Sequence, residues 1–521
     1  MSLFPIQTRG KRVQILQIGA ALAAAAIVAG CGDAYRPVVT PTNPSGPPSQ
    51  VSSLAIVLSQ PEAGSDGVAT VLDYAGDTEM AQADIGPNPL TFALSETGST
   101  GYTLNSDGTL TNFTSTTSLR TDPSHVLFST LSSSAVPVGL YAPSSGLWIA
   151  DQNGNAIDIL TGAPATFRLA VPVAPTPVTA IGLPVLTTRA YAISLNNAST
   201  PTGSIIPYSS MVCNTAPSSV SQNGEADAIE VASYTVSARI PVGKCPVYGA
   251  ISSDGQRVFV LNRGSDTVTV INAQLNTLDA CTPFTNQNGQ LVTCHPTLPL
   301  STTAVSATGI TPPNGTAGMT ATAGPVYAEY NQATQQLVVA NYAGGTISVI
   351  DVSLDQYGND SQTFGTTYTI KVGNTATPDP ASVTVLADGS RAYVANQNDD
   401  SGGTGNGTVS VVNLSSHTVE KTLAVVGHPR TVVSTVNSLY GKVYVASPDS
   451  PYVTILRTDQ DIVDTTALVQ GNVMDVRVTT QNGSTGNAND TSRRPGAGQP
   501  CYLPGATAEA SLTNCQNLFL Q

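Results

Sequence analysis

The chain has 521 residues, 34 of them acidic and 20 basic, for a net charge of −14, and only 10% of its side chains are charged. Beyond the extreme N-terminus it has no basic stripe, which excludes a protein that grips duplex DNA or RNA by its phosphates. A mean hydropathy of +0.05 excludes wholesale disorder, and 46 Gly with 36 Pro among Val, Thr, Ser and Ala describe a turn-rich β-protein of exported type.

In chain order, Arg9, Lys11 and Arg12 precede an apolar stretch, Ile15 to Val28. That stretch is shorter than the roughly 20 residues of a comfortable membrane span. It reads as a targeting signal and stays outside fold reasoning. It ends in Val28-Ala29-Gly30-Cys31, which resembles a bacterial lipobox. The resemblance implies that residues 1–30 are a lipoprotein signal peptide and that Cys31 is diacylated. It also implies a lipid-anchored protein of the bacterial cell envelope, facing the periplasm or the outer surface, with the membrane as a partner through that lipid. Residues 31–50 contain Pro37, Pro41, Pro44, Pro47 and Pro48 and read as an extended tether.

From Ser53 onward, short β-type runs alternate with turn chemistry. Ser53 to Ser59, Val68 to Asp73 and Met80 to Gly86 read as the second, third and fourth strands of a unit that lacks a first. Whole units follow. In each, the second strand carries an apolar or aromatic residue and, three positions on, Asn, Asp or Ser. These endings fall at Asn105, Asp151, Ser194, Asn262, Asn341, Asn396 and Ser447. Third strands recur from Ala156, Thr267, Thr346 and Thr408. Fourth strands often end in Val-Gly, at Gly243, Gly373 and Gly427. Pro246, Pro325, Pro380 and Pro429 open the next units, where a missing N–H is tolerated. The best-formed unit is Ala381 to Gly427, and its Asp388-Gly389 predicts a tight primed hairpin turn. Segments 196–224 and 275–322 interrupt the pattern as insertions. Asn472 to Thr480 reads as a lone first strand, and 481–521 as a Gly/Asn-rich, Cys-containing tail.

The repeat, with Y-V-A-N ending at Asn396, resembles the YVTN family of β-propeller repeats over residues 51–480. The resemblance implies an all-β propeller of four-stranded blades. Seven whole units and one split unit count to eight blades, against the seven habitual in the family. The split unit predicts a blade shared between N- and C-terminal strands, because closing a ring leaves only short, protected edges.

If Cys31 carries lipid, six cysteines remain, and an even number in an oxidising compartment suggests disulfides. Sequence order pairs Cys213 with Cys245, Cys281 with Cys294 and Cys501 with Cys515. Asp399 and Asp400, among glycines in loop 396–407, are the candidates for Ca²⁺, against a solvated loop that lacks EF-hand spacing. Asn262, Asn341 and Asn396 read as turn residues that tolerate the left-handed region and cap the entry to the third strand. Trp148 takes the aromatic slot of its repeat and reads as core. His125, His295, His417 and His428 are scattered, and no nucleophile or zinc frame occurs. No catalytic or cofactor-binding residue is assigned.

The expected function is therefore a monomeric binding or scaffold module for a protein or cell-envelope ligand, with its partner surface on the two insertions. The alternative is a propeller enzyme, lactonase-like or oxidoreductase, with a channel site. Glu96, Glu329 and Asp475 are the few acids that first strands could offer it.

Overall fold

The computed structural model describes residues 54–479 apart from some loop stretches, the longest being 197–222 and 301–322. Every regular element there is a β-strand. Eight antiparallel sheets form the blades of a propeller. Blade 1 runs from Pro89 to Thr130, blade 2 from Pro137 to Pro172, blade 3 from Pro177 to Lys244 and blade 4 from Pro246 to Pro299. Blade 5 covers Pro325 to Lys371, blade 6 Pro380 to Ala424 and blade 7 Thr431 to Leu468. Blade 8 is the shared one. Its inner strand is Asn472–Val478, paired to Leu54–Gln60, then Asp66–Asp73 and Glu79–Pro87. The eight-blade count and the closure read from the sequence are both present.

Val, Ile, Ala and Tyr alternate with Thr and Ser along the strands, and both faces of each sheet are covered by neighbouring blades. Val258, Phe259, Val260 and Leu261 are all fully buried, as a strand sandwiched on two sides requires. Inner strands converge closely. A Cβ on Gly139 would lie 2.5 Å from the Val178 carbonyl oxygen of the next blade. At the inner edges several N–H groups are satisfied by side chains of the neighbouring blade. Val432 N donates to Ser382 Oγ at 3.1 Å, Ser434 N to Thr384 Oγ1 at 3.2 Å and Val385 N to Glu329 Oε1 at 3.0 Å.

The recurrent Asn is structural, but by a different route from the one expected. Asn262, Asn341 and Asn396 are strand residues and none has positive φ. Each amide instead clamps two hydroxyls on the third strand. Asn262 Nδ2 donates to Thr267 Oγ1 at 3.2 Å and Thr269 Oγ1 at 2.8 Å. Asn396 repeats this with Thr408 at 3.0 Å and Ser410 at 2.8 Å, and Asn105 with Thr109 at 3.0 Å and Thr111 at 2.8 Å. The second hydroxyl of the pair then accepts the N–H of the glycine that ends the previous blade. Gly86 N reaches Thr111 Oγ1 at 3.0 Å, Gly243 N reaches Thr269 Oγ1 at 3.2 Å and Gly373 N reaches Ser410 Oγ at 3.0 Å. Only glycine fits: a Cβ on Gly86 would sit 2.1 Å from Asn105 Nδ2.

Two further expectations are corrected. The Asp388-Gly389 hairpin exists, but Gly389 alone has positive φ, at 72°. Its N–H donates to Leu386 O at 2.8 Å, so Ala387 and Asp388 form an unprimed turn and Gly389 supplies the left-handed exit. Insertion 275–322 also contains the outer strand of blade 4, in two pieces: Thr277–Leu278 pairs with Ile271 and Asn272, and Thr297–Pro299 with Thr267 to Thr269.

Blade 3 departs from this pattern in a coupled way, with Ser194 at the Asn position and Ala174 at the glycine position. Gly86→Ala should therefore cost about 1–3 kcal/mol by overpacking. Adding Asn105→Ser to it should recover part of that loss. Urea unfolding of the four members of this cycle checks the sign of the coupling.

Candidate functional site

The two halves of blade 4's outer strand bracket an excursion over residues 279–296. It is a small hairpin, Phe284–Thr285 against Leu291–Val292, closed by a disulfide between Cys281 and Cys294. That pairing agrees with sequence order. Cys245 is also disulfide-bonded, and its partner lies outside the described residues, as do Cys31, Cys213, Cys501 and Cys515.

The hairpin's base is held by a buried ionic knot. Arg257 opens the second strand of blade 4 and is 2% exposed. Its NH2 group donates to Asp360 Oδ1 at 3.1 Å and Gly358 O at 3.1 Å, on blade 5, and pairs with Asp279 Oδ1 at 3.3 Å. On the far side of the disulfide, His295 Nδ1 lies 2.8 Å from Asp360 Oδ2, and its ring stacks on Phe364 with centroids 5.3 Å apart. Burial pushes the Asp279 carboxyl up to about 6; Arg257 pulls it down and neighbouring Asp360 pushes it up. One guanidinium thus serves two buried carboxylates. Such a knot contributes little net stability but is costly to break, because removing one partner strands a charge.

Arg257, Asp279 and Asp360 escaped sequence reading, yet for Arg257 a signal existed. Arg189, Arg257, Arg391 and Lys442 each stand five positions before the Asn or Ser that ends the same strand. Each reaches into the next blade. Arg189 donates to Ala273 O at 2.8 Å, Arg391 to Thr458 O at 2.8 Å and Lys442 to Tyr74 O at 2.7 Å. Arg257 differs in having two buried acids and the hairpin on top.

Beyond the base, the hairpin turns apolar side chains to water. Phe284 is 43% exposed and Leu291 56%, while Tyr357 on the adjoining blade-5 loop is 54%. Gln362 Nε2 ties that loop to the hairpin by donating to Leu291 O at 2.7 Å. The segment 281–294 carries no charged residue.

The channel centre holds a second cluster. Asp475 and Arg477 of blade 8's inner strand form an ion pair at 3.0 Å. Blades 4 and 5, on the opposite side of an eight-bladed ring, contribute Tyr248 and Tyr327, whose rings lie 4.7 Å apart and share a hydrogen bond. The charge of Arg477 acts on both tyrosines. Burial pushes Tyr248 up to about 12, against the pull of the Tyr327 hydrogen bond and Arg477, and pushes Tyr327 well above its ordinary value. Glu329 is engaged by Val385 N, as above. Glu96 lies outside the described residues.

Asp399 is 1% exposed and accepts from Asn374 N at 2.8 Å, Thr375 N at 2.7 Å and Thr408 Oγ1 at 2.6 Å, so its carboxylate caps the turn that leads into blade 6. Asp400 acts by its charge on His428, which Asp449 holds by a hydrogen bond. Among the described residues no three His, Cys, Asp or Glu are grouped to hold a metal ion. His417 stacks on Tyr368, and Trp148 is fully buried between Tyr141 and Tyr234. His125 lies outside the described residues.

No family model matches the chain, and no curated protein sequence matches it. Similar solved structures include apo AztD from Citrobacter koseri, at 14% identity, covering 82% of this chain and 97% of that one with a TM-score of 0.49. Dihydro-heme d1 dehydrogenase NirN in complex with DHE has 12% identity, covers 87% and 78%, and scores 0.47. A protein from Lactobacillus plantarum has 14% identity, covers 82% and 99%, and scores 0.42. Likeness at that level carries no argument about what the chain binds.

Arg257→Leu should lower unfolding free energy by about 3–5 kcal/mol, since it leaves Asp279 and Asp360 buried without their cation. Asp400→Asn, at the edge of the glycine loop, should stay within about 0.5 kcal/mol. Guanidinium denaturation of both variants checks the contrast.

Proposed function

We propose that the protein is an exported binding module, anchored by lipid at Cys31 and related to the YVTN-type propellers, that offers the blade-4 hairpin to a protein or cell-envelope partner. One observation carries this reading: the hairpin is immobilised at its base by a disulfide and a buried ionic knot, while its tip presents Phe284 and Leu291 to water. Preorganisation of this kind lowers the ordering cost of association, and exposed aromatic side chains on a rigid support are the usual anchors of an interface. The absence of charge from 281 to 294 favours a partner met through apolar contact and backbone hydrogen bonds. Arg257, Asp279, Asp360 and His295 are then positioning residues, and the tip makes the contact.

The channel cluster is what favours the second reading, a lactonase-like or oxidoreductase enzyme. A lactone hydrolysis screen with Arg477→Met as the control distinguishes the two: turnover lost in that variant would support the enzyme.

A photo-crosslinking residue at position 284 or 291, in cells carrying the full chain, should give a discrete adduct. The same residue at 167, on the exposed outer strand of blade 2, should give none. Equal labelling at the three positions would defeat the hairpin reading. For the anchor, Cys31→Ala should abolish incorporation of labelled palmitate and move the protein out of the membrane fraction; a variant that stays there would defeat that part.

A further inference from the structure

At the latch between blades, the third-strand position that accepts the preceding blade's N–H is a neutral hydroxyl in most of the ring. It accepts that N–H as Thr111 in blade 1, Thr269 in blade 4 and Ser410 in blade 6, and the same register gives Ser348 in blade 5, Thr70 in blade 8 and Thr454 in blade 7. Blades 2 and 3 differ. Register places Asp158 there in blade 2, opposite Ile149, and Asp227 in blade 3, opposite Ala192.

Asp227 is fully buried. Its Oδ2 accepts from Ala174 N at 2.5 Å, the same bond that hydroxyls make elsewhere, and its Oδ1 is buried without a partner. Where blades 1, 4, 5 and 6 set a neutral threonine hydroxyl beside this position, blade 3 sets Glu225, whose carboxyl pushes Asp227 up. A buried carboxyl beside a second carboxyl ionises reluctantly, so Asp227 favours its protonated form. The second strand contributes Ser194, whose Oγ is also buried and unpartnered, in place of the donating Asn amide. Among the described residues the cation facing the pair is Arg239 on the fourth strand, 55% exposed and 3.2 Å from Glu225. Against Asp158 the second strand sets Asp151, another acid, and the fourth strand sets uncharged Ala170.

We propose that the two seams flanking blade 2 form a proton-operated latch: Asp158 and Asp227, set where other blades carry hydroxyls, hold protons in the closed ring, and their loss loosens this sector alone.

The sense of the effect follows from the carboxyl values. Burial, first, and Asp151 push Asp158 up to about 6. For Asp227, burial pushes it up to about 7, with the Ala174 N–H opposing and Glu225 adding. The unfolded chain releases these protons at ordinary carboxylate pH, near 4. The folded state therefore holds more protons between about pH 4 and 7, and stability in this sector falls as pH rises through that window. Acidification tightens the latch. Each such group changes the opening equilibrium by roughly tenfold per pH unit within its window.

Hydrogen exchange of the full chain at pH 5.5 and pH 8, corrected for the intrinsic rate, tests this. Peptides covering Val171 to Val178 and Asn223 to Glu230 should exchange about tenfold faster or more at pH 8, with blades 4 to 6 unchanged. Asp158→Thr with Asp227→Thr restores the hydroxyls of the other blades and should abolish the difference. Asp227→Asn, nearly isosteric, should reduce it by itself and serves if the double variant folds poorly. Equal corrected protection at both pH values, a difference spread over all blades, or one that survives in both variants would overturn the proposal.

Discussion

A blade of this ring has two apolar faces and one free inner edge, so no blade is stable without its neighbours. At three seams, blade 8 to 1, blade 3 to 4 and blade 5 to 6, neighbours are held in one register by the bond from a glycine N–H to a hydroxyl of the next blade, with an asparagine amide holding that hydroxyl in place. Around it the packing is tight: a Cβ on Gly86 or Gly243 would run into the asparagine amide, and each hydroxyl is at the third residue of its strand. Burial of Val, Ile and Leu between the sheets supplies most of the stabilisation, but it is indifferent to small slips. The polar latch makes the packing specific, because a slip would leave a buried N–H and a buried amide without partners.

Much of the architecture could be read from the chain because its signals are local. The second strand, turn and third strand are contiguous, so their pattern repeats in the sequence and the split unit reveals itself by what it lacks. Less legible was anything that joins residues through a seam. Asn396 was seen as a recurrent residue, but its role depends on Gly373 of the blade before it, and without the seam a turn-capping role was the simplest reading. Asp388-Gly389 shows a smaller version of the same limit: the dipeptide marks a hairpin, while loop length selects the turn type. Arg257 could have been found from its recurrence with Arg189, Arg391 and Lys442. What could not be found was that its carboxylates come from Asp279, inside the segment read as an insertion, and from Asp360, about 80 residues further on, between the third and fourth strands of blade 5.

The ring is not uniform around its circumference. Seams from blade 3 to blade 5 and from blade 6 to blade 8 add a cation at the start of the second strand. The seam between blades 2 and 3 instead carries its cation on the fourth strand, with Arg168 over the ring of Tyr234 at 4.9 Å. A propeller of near-identical repeats therefore carries a chemically distinct sector, and the disulfide-closed hairpin stands on the ion-rich side of it. Rigid support under the hairpin and a titratable sector elsewhere can coexist because each blade is coupled chiefly to its two neighbours.

The shared blade sets an order of events. During synthesis the second, third and fourth strands of blade 8 emerge first, and Leu54–Gln60 has no partner on its inner side until some 400 residues later, when Asn472–Val478 arrives. Until then its Ala55 and Val57 lack the cover that Val473, Val476 and Val478 give them in the finished ring. The arriving strand also carries Arg477. Closing the circle and delivering the Asp475–Arg477 pair to the channel cluster are consequently one event, and a nascent chain short of its last strand lacks both. Proteases and chaperones would meet two kinds of unfinished surface at once, and both would vanish with the same seven residues.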